Sequence, residues 1–395
     1  MPPQGESRNY AHLPDELLGK ILESVPNTVD KMNGLFDIQD EPIAKGMEKL
    51  RAAGKIKKLS DVEPSHSLIA VDGGNIPEKL AGADVLLAVA VGVEGLSEDK
   101  DTAWGADKNQ YYQWQTVLPH GEANARLIQG VMFLMELSVL ANDDHEIRIM
   151  DGTHFTPILK INSMLSAKEE GAGPEYAAAL RDFLRETYSK IIPDIPDIIT
   201  AAQNNEHIIA LAKYSSSTDI IDAFLSDCEI KLDDKTFFSL GLAEDEYLVP
   251  HSVGQSKQER EKIWNELHIA CSLDIPEKDA LNTALKNAIA PITTKGGKES
   301  ELYYTYYRPY MDGPAYRVEL KKAVATDSAK LERYLGSLKK QIIFPEIREP
   351  YPQYLVDLMA KSISTGMFAI IDAIRLSPDL KIDQGKFGLL FSYRT

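Results

Sequence analysis

The chain has 395 residues, more than one typical domain, and its 44% hydrophobic and 26% charged residues exclude wholesale disorder. The 43 Lys and Arg against 60 Asp and Glu leave a net charge of −17. This charge argues against a protein whose whole surface binds nucleic acid, but it permits a local basic groove or docking onto a basic partner.

The first predicted elements are helices. Residues 11–58 have a helical pattern, and Asp15 and Glu16 follow Pro14 in a first turn, where acids suit the helix dipole. A region of short apolar or alternating segments comes next, and these segments predict β-strands at residues 67–71, 85–93, 107–118 and 146–150. Residues 124–140 between them have a helical period, so the region predicts a mixed α/β core.

The second half is predicted to add helices and a hairpin. The helical patterns cover residues 174–225, 255–292, 328–341 and 354–374. The predicted strands are residues 207–212, a hairpin over 301–320 that turns at 311–314, and a closing strand at 387–393. We therefore predict a helical N-terminal region at 1–60, a core at 61–254 and 300–395, and a helical insertion at 255–299.

The cysteine and apolar content predicts a soluble cytoplasmic protein. Only Cys228 and Cys271 are present, so a disulfide framework and a Cys-rich zinc site are not expected. No apolar run reaches the roughly 18 residues that span a bilayer. Residues 1–10 also lack the apolar stretch of a signal peptide.

Three carboxylates form the strongest candidate site. Asp72 and Asp151 each precede a glycine at the end of an apolar strand, and an Asp there projects from the rim of the sheet. Glu136 lies in an apolar helix, where a carboxylate is costly unless it is paired or bound to metal. If the helix packs on the sheet, the three could hold Mg²⁺ or Mn²⁺ for phosphodiester displacement. The alternative is ordinary Asp-Gly turns and a paired core carboxylate.

Several blocks in order resemble one known family. The segments AVDGG, FLMELSVLA and RIMDGTH are similar to blocks of the NurA nuclease domain. The segments LAKYSSST, DDKTFFSLGL, YYRPYMDGPAYRVEL and EPYPQYLVDLMAKSIS extend this resemblance over residues 67–365. It implies an RNase H-like mixed sheet flanked by helices, with helical additions at the N-terminus and in the second half.

The resemblance also implies an activity, a cofactor and partners. Members of the family are Mn²⁺-dependent DNA exo- and endonucleases (Mg²⁺ is the alternative ion) that form dimers. They act with a HerA-type hexameric ATPase in DNA end resection or phage defence. By resemblance, Asp72, Glu136 and Asp151 would be metal ligands, and Lys213 and Tyr351 would be further catalytic residues. The family's C-terminal block continues to a His that is missing here, and Lys361 is a candidate replacement.

Other residues have open roles. Lys213 precedes a Ser-rich turn, so its ammonium could reach a scissile phosphate or simply be solvated at a strand end. Residues 301–340 carry eight Lys and Arg and five Asp and Glu, a net of +3. Arg308, Arg317 and Lys321, interleaved with tyrosines, would suit single-stranded DNA, although the tyrosines could equally cover a core. His154 is predicted to be a rim residue outside any zinc site.

Two other functions compete with the nuclease. Strand-Asp-Gly pairs also occur in actin-like or sugar-kinase-like phosphotransferases, but Lys295-Gly-Gly-Lys298 is then the only candidate adenosine loop, and Glu136 has no role. A non-catalytic subunit that docks on an ATPase is the other alternative, and the three carboxylates argue against it. Mn²⁺-dependent DNA degradation, ATP consumption or neither would distinguish the three functions.

Overall fold

The structure is a computed structural model that leaves parts of the chain undescribed. It describes residues 14–35, 39–61, 63–65, 67–80, 82–97, 104, 108–165, 195–253, 278–293, 301–343, 347, 349–383, 385–386 and 388. The predicted closing strand at 387–393, most of the 255–292 helical segment and residues 174–194 therefore lie outside the described residues, apart from 278–292 and 388.

The described strands form one mixed sheet. They are β1 (Ile56–Lys58), β2 (Leu68–Lys79), β3 (Asp84–Glu94), β4 (Tyr111–Leu118), β5 (Ile147–Asp151), β6 (Ile208–Ala212), β7 (Glu246–Leu248), β8 (His251–Ser252), β9 (Leu302–Arg308) and β10 (Tyr316–Lys321). Their order is β1-β7-β9-β10-β6-β5-β2-β3-β4, with β8 paired to β9. Strands β2, β5 and β6 are parallel neighbours, and the other pairs are antiparallel. The predicted mixed α/β core is confirmed.

Helices pack against this sheet or against one another. They are α1 (Asp15–Glu23), α2 (Val25–Leu35), α3 (Asp40–Ala52), α4 (Asn124–Asn142), α5 (Thr156–Leu165), α6 (Ile195–Asn204), α7 (Asp219–Phe224), α8 (Asp234–Gly241), α9 (Lys278–Thr293), α10 (Lys322–Ala325), α11 (Ser328–Lys340), α12 (Tyr351–Lys361) and α13 (Ile363–Leu376). Two predictions need correction. Residues 56–58 are a strand rather than the end of a helical region, because they pair with β7. The predicted 354–374 helix is two helices, α12 and α13, which meet at Ser362.

The strand that carries Asp72 is longer than predicted. The sequence prediction ended it at Val71, but β2 continues through Asp72-Gly73-Gly74 to Lys79 by pairing with β3. Its pairing with β5 does stop at Val71, opposite Met150. Asp72 therefore lies inside a hairpin strand, at the point where β2 leaves the parallel centre of the sheet.

Helix α4 is the buried helix of the core. The sequence predicted one apolar side, but side chains are buried around its whole circumference from Leu127 to Leu140. It packs against β2 and β3 on one side and α5 on the other. By length and composition alone it could cross a membrane, yet most of it is buried inside the protein as in a core helix.

Candidate active site

The parallel centre of the sheet brings two of the predicted carboxylates to one edge. Asp72 follows the last β2 residue paired with β5, and Asp151 ends β5 opposite Leu211 of β6. Lys213 comes two residues after Leu211, at the same end of the parallel strands. The carboxyl ends of parallel strands meet at one edge, and ligands commonly bind there in α/β sheets.

Glu136 reaches this edge from α4. Gly73 makes the close approach possible, because a Cβ atom added there would collide with Glu136 Oε1. The Gly73 N–H donates to Asp72 Oδ1 at 2.8 Å, so Asp72 and Glu136 both lie close to this glycine. The structure thus brings Asp72, Glu136 and Asp151 into one neighbourhood, as the sequence predicted from their order and context.

The environment makes ionisation of Glu136 costly. The residue is 1% exposed, and its Oε1 atom accepts no hydrogen bond. Burial, followed by the charges of Asp72 and Asp151, raises the pKa of Glu136 well above its ordinary value. A buried carboxylate oxygen with no partner is an incomplete site, since such groups are normally hydrogen-bonded or bound to a cation.

Asp72 is held in a similar state. Burial raises the pKa of Asp72 to about 7, and the charge of Asp151 adds to the effect against the opposing Gly73 N–H. The two neighbouring acids therefore favour a shared proton or an added cation over full ionisation. Perturbed carboxyl groups gathered at a sheet edge are typical of functional sites.

Asp151 is already engaged by two side chains. Gln353 Nε2 donates to Asp151 Oδ1 at 2.8 Å, and Lys213 Nζ lies 3.4 Å from Asp151 Oδ2. Lys213 Nζ also lies 3.0 Å from Glu349 Oε2 and 4.0 Å from Asp357 Oδ1. Burial lowers the pKa of Lys213, but these three acids outweigh it and leave the pKa above its ordinary value. Lys213 is therefore a charged member of the site, not a solvated lysine.

The sequence analysis missed three residues of this site. Glu349, Gln353 and Asp357 come from the segment around α12, which packs against β2. Gly74 permits that packing, because a Cβ atom there would collide with the Ala360 carbonyl. The four-residue spacing of 353, 357 and 361 places polar residues on one side of α12, and Glu349 precedes this helix by two residues. That periodicity was the signal available, but a solvated helix face has the same pattern.

The donor set suits a hard divalent cation. Its atoms are carboxylate oxygens, which Mg²⁺ and Mn²⁺ prefer, and Glu136 Oε1 is a buried acceptor without a partner. As the side chains stand, no three acidic, His or Cys groups in the described ranges are close enough to share an ion. Gln353 and Lys213 occupy Asp151 instead, so the residues fit a metal by chemistry and would need to rearrange locally around it.

The two remaining residues of the C-terminal block lie at opposite ends of α12. Tyr351 is half-buried at its first residue, where its N–H donates to the Gln341 carbonyl at 2.7 Å. Lys361 is exposed at its last residue, and its Nζ lies 2.6 Å from Asp357 Oδ2. The hydrogen bond to Asp357 and its charge, with Asp72 contributing, raise the pKa of Lys361. Lys361 thus lies within electrostatic reach of the site.

The predicted DNA-binding hairpin is largely interior. Tyr304, Tyr306 and Tyr307 are fully buried, so the core role left open by the sequence is the correct one for them. Arg317 is 7% exposed, lies 4.0 Å from the Tyr304 ring centre and pairs with Glu319 Oε1 at 3.2 Å. The interleaving of cations and aromatics therefore serves core packing on this strand, not a surface groove.

Arg308 and Lys321 also interact with other parts of the protein. Arg308 donates to the carbonyls of Leu242, Gly313 and Met311, which closes the hairpin turn. Burial lowers the pKa of Lys321 to about 8, against the charges of Glu319 and Glu301. A DNA contact by either residue stays a prediction, since both are half-buried rather than displayed on the surface.

We expect Arg317→Ala to destabilise the protein rather than change its DNA affinity. Removing one partner of a buried ion pair leaves the other charge uncompensated, which costs about 3 to 5 kcal/mol. Chemical denaturation should show this loss, whereas Lys361→Ala, an exposed control, should leave the midpoint unchanged. A weaker salt dependence of DNA binding with unchanged stability would restore the surface role for Arg317.

His154 is not the rim residue that the sequence predicted. It is buried. Its backbone N–H donates to Glu319 Oε2 at 3.0 Å, and its ring Nε2 lies 3.2 Å from the Ile208 carbonyl oxygen. Burial lowers the pKa of His154 despite Glu319. The residue follows Asp151 closely in sequence, but the chain turns inward after Gly152 and carries the imidazole into the core.

Comparison with known proteins gives one matching family and several similar structures. A sequence model of the NurA domain matches residues 66–358. A crystal structure of NurA bound to dAMP and manganese is 13% identical with a TM-score of 0.51, covering 96% of this chain and 100% of that chain. The NurA nuclease from Sulfolobus solfataricus is 14% identical with a TM-score of 0.48, covering 93% and 100%. No curated protein sequence matches this chain significantly.

Proposed function

Because the chain belongs to the NurA domain family, whose model covers residues 66–358, we propose that it is a metal-dependent DNA nuclease. One observation carries the proposal: Asp72, Glu136 and Asp151 gather at the carboxyl edge of the parallel strands, with the buried Glu136 Oε1 lacking a partner. Carboxylates arranged in this way suit divalent-cation chemistry on a phosphodiester. A related NurA structure is described as bound to dAMP and manganese, which supports Mn²⁺ as the ion.

The sheet order supports an RNase H-like core. The strands β4-β3-β2-β5-β6 begin with an antiparallel meander and continue with two strands parallel to β2. Helix α4 lies between β4 and β5 in the chain and covers this sheet. In chain order, β2 is the first strand of this unit and β5 is the fourth. Asp72 lies on β2, Glu136 on α4 and Asp151 on β5, so each of these elements supplies one carboxylate.

We assign roles to the residues around the three carboxylates. Asp72, Glu136 and Asp151 would hold one or two Mn²⁺ or Mg²⁺ ions, which supply an activated water and stabilise charge on the reacting phosphate. Lys213 would bind a phosphate oxygen, because its ammonium is charged and half-buried beside Asp151. Gln353 would orient Asp151, and Tyr351 and Lys361 would line the approach of the strand.

The test is DNA degradation by the purified protein. We expect labelled linear DNA to be degraded with Mn²⁺ and to stay intact with EDTA. ATP consumption without degradation would favour the phosphotransferase, and neither activity would favour a non-catalytic docking subunit. A nuclease contaminant is excluded when the activity co-elutes with the protein and disappears in the carboxylate variants.

We further propose that the nuclease is a cytoplasmic homodimer that acts with a HerA-type hexameric ATPase in DNA end processing or phage defence. The net charge of −17 supports a need for help in binding DNA. A polyanion repels such a chain, and salt screens this repulsion only beyond a Debye length of about 8 Å. A ring-shaped motor with a basic channel would supply the missing affinity, and a dimer would match its symmetry.

We expect the ATPase and ATP to accelerate cleavage of linear DNA at about 0.15 M salt, where unaided binding by an acidic protein is weak. The measurement compares initial rates with the nuclease alone, with the ATPase, and with the ATPase and ATP. A non-hydrolysable ATP analogue separates docking from translocation. Equal rates in all conditions would show a self-sufficient nuclease and contradict the partnership.

A further inference from the structure

Tyr214 is an unusually exposed aromatic residue at the edge of the site. It is 93% exposed, more than any other large apolar side chain in the described part of the chain. It directly follows Lys213, whose Nζ lies 3.4 Å from Asp151 Oδ2. Leaving a tyrosine ring in water forgoes the free energy that its burial would supply, so packing does not explain this residue.

The loop that carries Tyr214 is tied down at its back. Lys235 Nζ donates to the Lys213 carbonyl, and the same ammonium lies 5.8 Å from the centre of the Tyr214 ring. This distance is within the range of a cation–π contact. Burial lowers the pKa of Lys235, so the ammonium is partly withdrawn from water behind the loop. The ring is therefore anchored near Lys213 while most of its surface stays open.

A second exposed aromatic residue in the described ranges offers a contrast. Tyr111 is 68% exposed on β4, an edge strand separated from β6 by three other strands. It lies at the start of β4, four strand steps from the β6 end that precedes Lys213, although it is in register with Asp72 across Val91 of β3. Of these two exposed tyrosines, only Tyr214 directly follows a residue of the candidate site in the chain.

We propose that Tyr214 stacks on a nucleobase of the strand being cleaved, next to the phosphate that Lys213 and the carboxylates hold. This inference rests on the proposed nuclease function and adds a residue that recognises the substrate. Stacking on an aromatic ring is tolerant of sequence, because every base has a π-face. The stacked base must be free of its partner strand, so the site takes a single-stranded or frayed end.

The experiment measures binding and cleavage separately. Fluorescence anisotropy with labelled single-stranded oligonucleotides, in EDTA at low salt, compares the wild type with Tyr214→Ala, Tyr214→Phe and the control Tyr111→Ala. We expect Tyr214→Ala to weaken binding by about fivefold to a hundredfold, as loss of one stacked base does. Tyr214→Phe should bind as the wild type does, because it keeps the ring, and so should Tyr111→Ala.

A scan with single abasic nucleotides identifies the stacked base. The wild type should lose affinity at one position, and Tyr214→Ala should show no further loss there. Unchanged binding by Tyr214→Ala, an equal loss in Tyr111→Ala, or an abasic penalty that persists in Tyr214→Ala would each overturn the proposal. If the wild type binds with this pattern but cleaves nothing with Mn²⁺, the nuclease function fails while the stacking stands.

Discussion

Purified Asp72→Ala and Asp151→Ala are each expected to lose nuclease activity by about a thousandfold, while keeping the native fold. Both side chains lie at the carboxyl edge of the parallel strands, and neither belongs to the apolar core. Removing one carboxylate takes away a metal ligand and the negative charge that balances the ion, so the reacting phosphate loses its stabilisation.

The measurement is the initial rate of Mn²⁺-dependent cleavage at saturating metal. Asp144→Ala is the matched control, because Asp144 is an exposed acid that pairs with Lys108 at 3.4 Å, outside the set of site contacts. Circular dichroism and the melting temperature establish that each variant is folded. Cleavage near the wild-type rate by folded Asp72→Ala would end the assignment of these carboxylates as metal ligands.

Much of the fold was predictable because its strands are short apolar runs. The segments now seen as β5 and β6 are almost wholly buried, as is the first half of β3, and such runs predict interior strands without knowledge of their partners. The 301–320 hairpin was predictable from its Asp-Gly turn between two tyrosine-rich or apolar stretches. The sheet order, by contrast, depends on long-range pairing that local patterns do not encode.

The proximity of Asp72 and Glu136 was predictable, but their exact settings were not. The sequence Asp-Gly-Gly indicates a strand end, whereas the structure uses the two glycines for close packing of α4 and α12 against a continuing strand. A glycine in the sequence gives the same signal whether it permits a turn or the close approach of another element. Only the tertiary contact distinguishes the two.

The sequence analysis made opposite errors for the α12 residues and for the hairpin cations, and both errors have the same cause. Gln353 and Asp357 have the composition of a solvated helix face, yet they contact Asp151 and Lys213. Arg317 has the composition of a nucleic-acid contact, yet it is buried with Glu319. A polar residue's role depends on what packs opposite it, and that partner is more than a hundred residues away for Gln353.

The metal-free protein is expected to lose stability as pH rises from about 4 to 7, and the carboxylate site is the cause. Folding raises the pKa of Asp72 from 3.8 to about 7, and it raises the pKa of Glu136 well above 4.5. An acid with a raised pKa binds its proton more tightly in the folded state. It therefore adds stability below its ordinary pKa, and this contribution disappears as pH rises through the folded pKa.

The size of the effect follows from the shift at Asp72. A change from 3.8 to about 7 corresponds to a difference on the order of 4 kcal/mol between acidic and neutral pH. Asp72→Asn removes the titrating group without changing its shape. The free energy of unfolding of this variant should therefore fall less between pH 4 and 7 than that of the wild type, in urea denaturation with EDTA.

Adding Mn²⁺ at pH 7.5 should reverse the loss in the wild type, because a bound cation favours the ionised form of these carboxylates. A ligand at a hundred times its dissociation constant stabilises the folded state by about 2.7 kcal/mol. Asp72→Asn and Asp151→Asn should gain much less, and Asp144→Ala should gain as much as the wild type.

The net charge of −17 also destabilises the fold at high pH, but this background effect is nearly the same in the wild type and the variant. A wild-type curve that parallels that of Asp72→Asn, with no gain from Mn²⁺, would show that these carboxylates are ordinary buried acids.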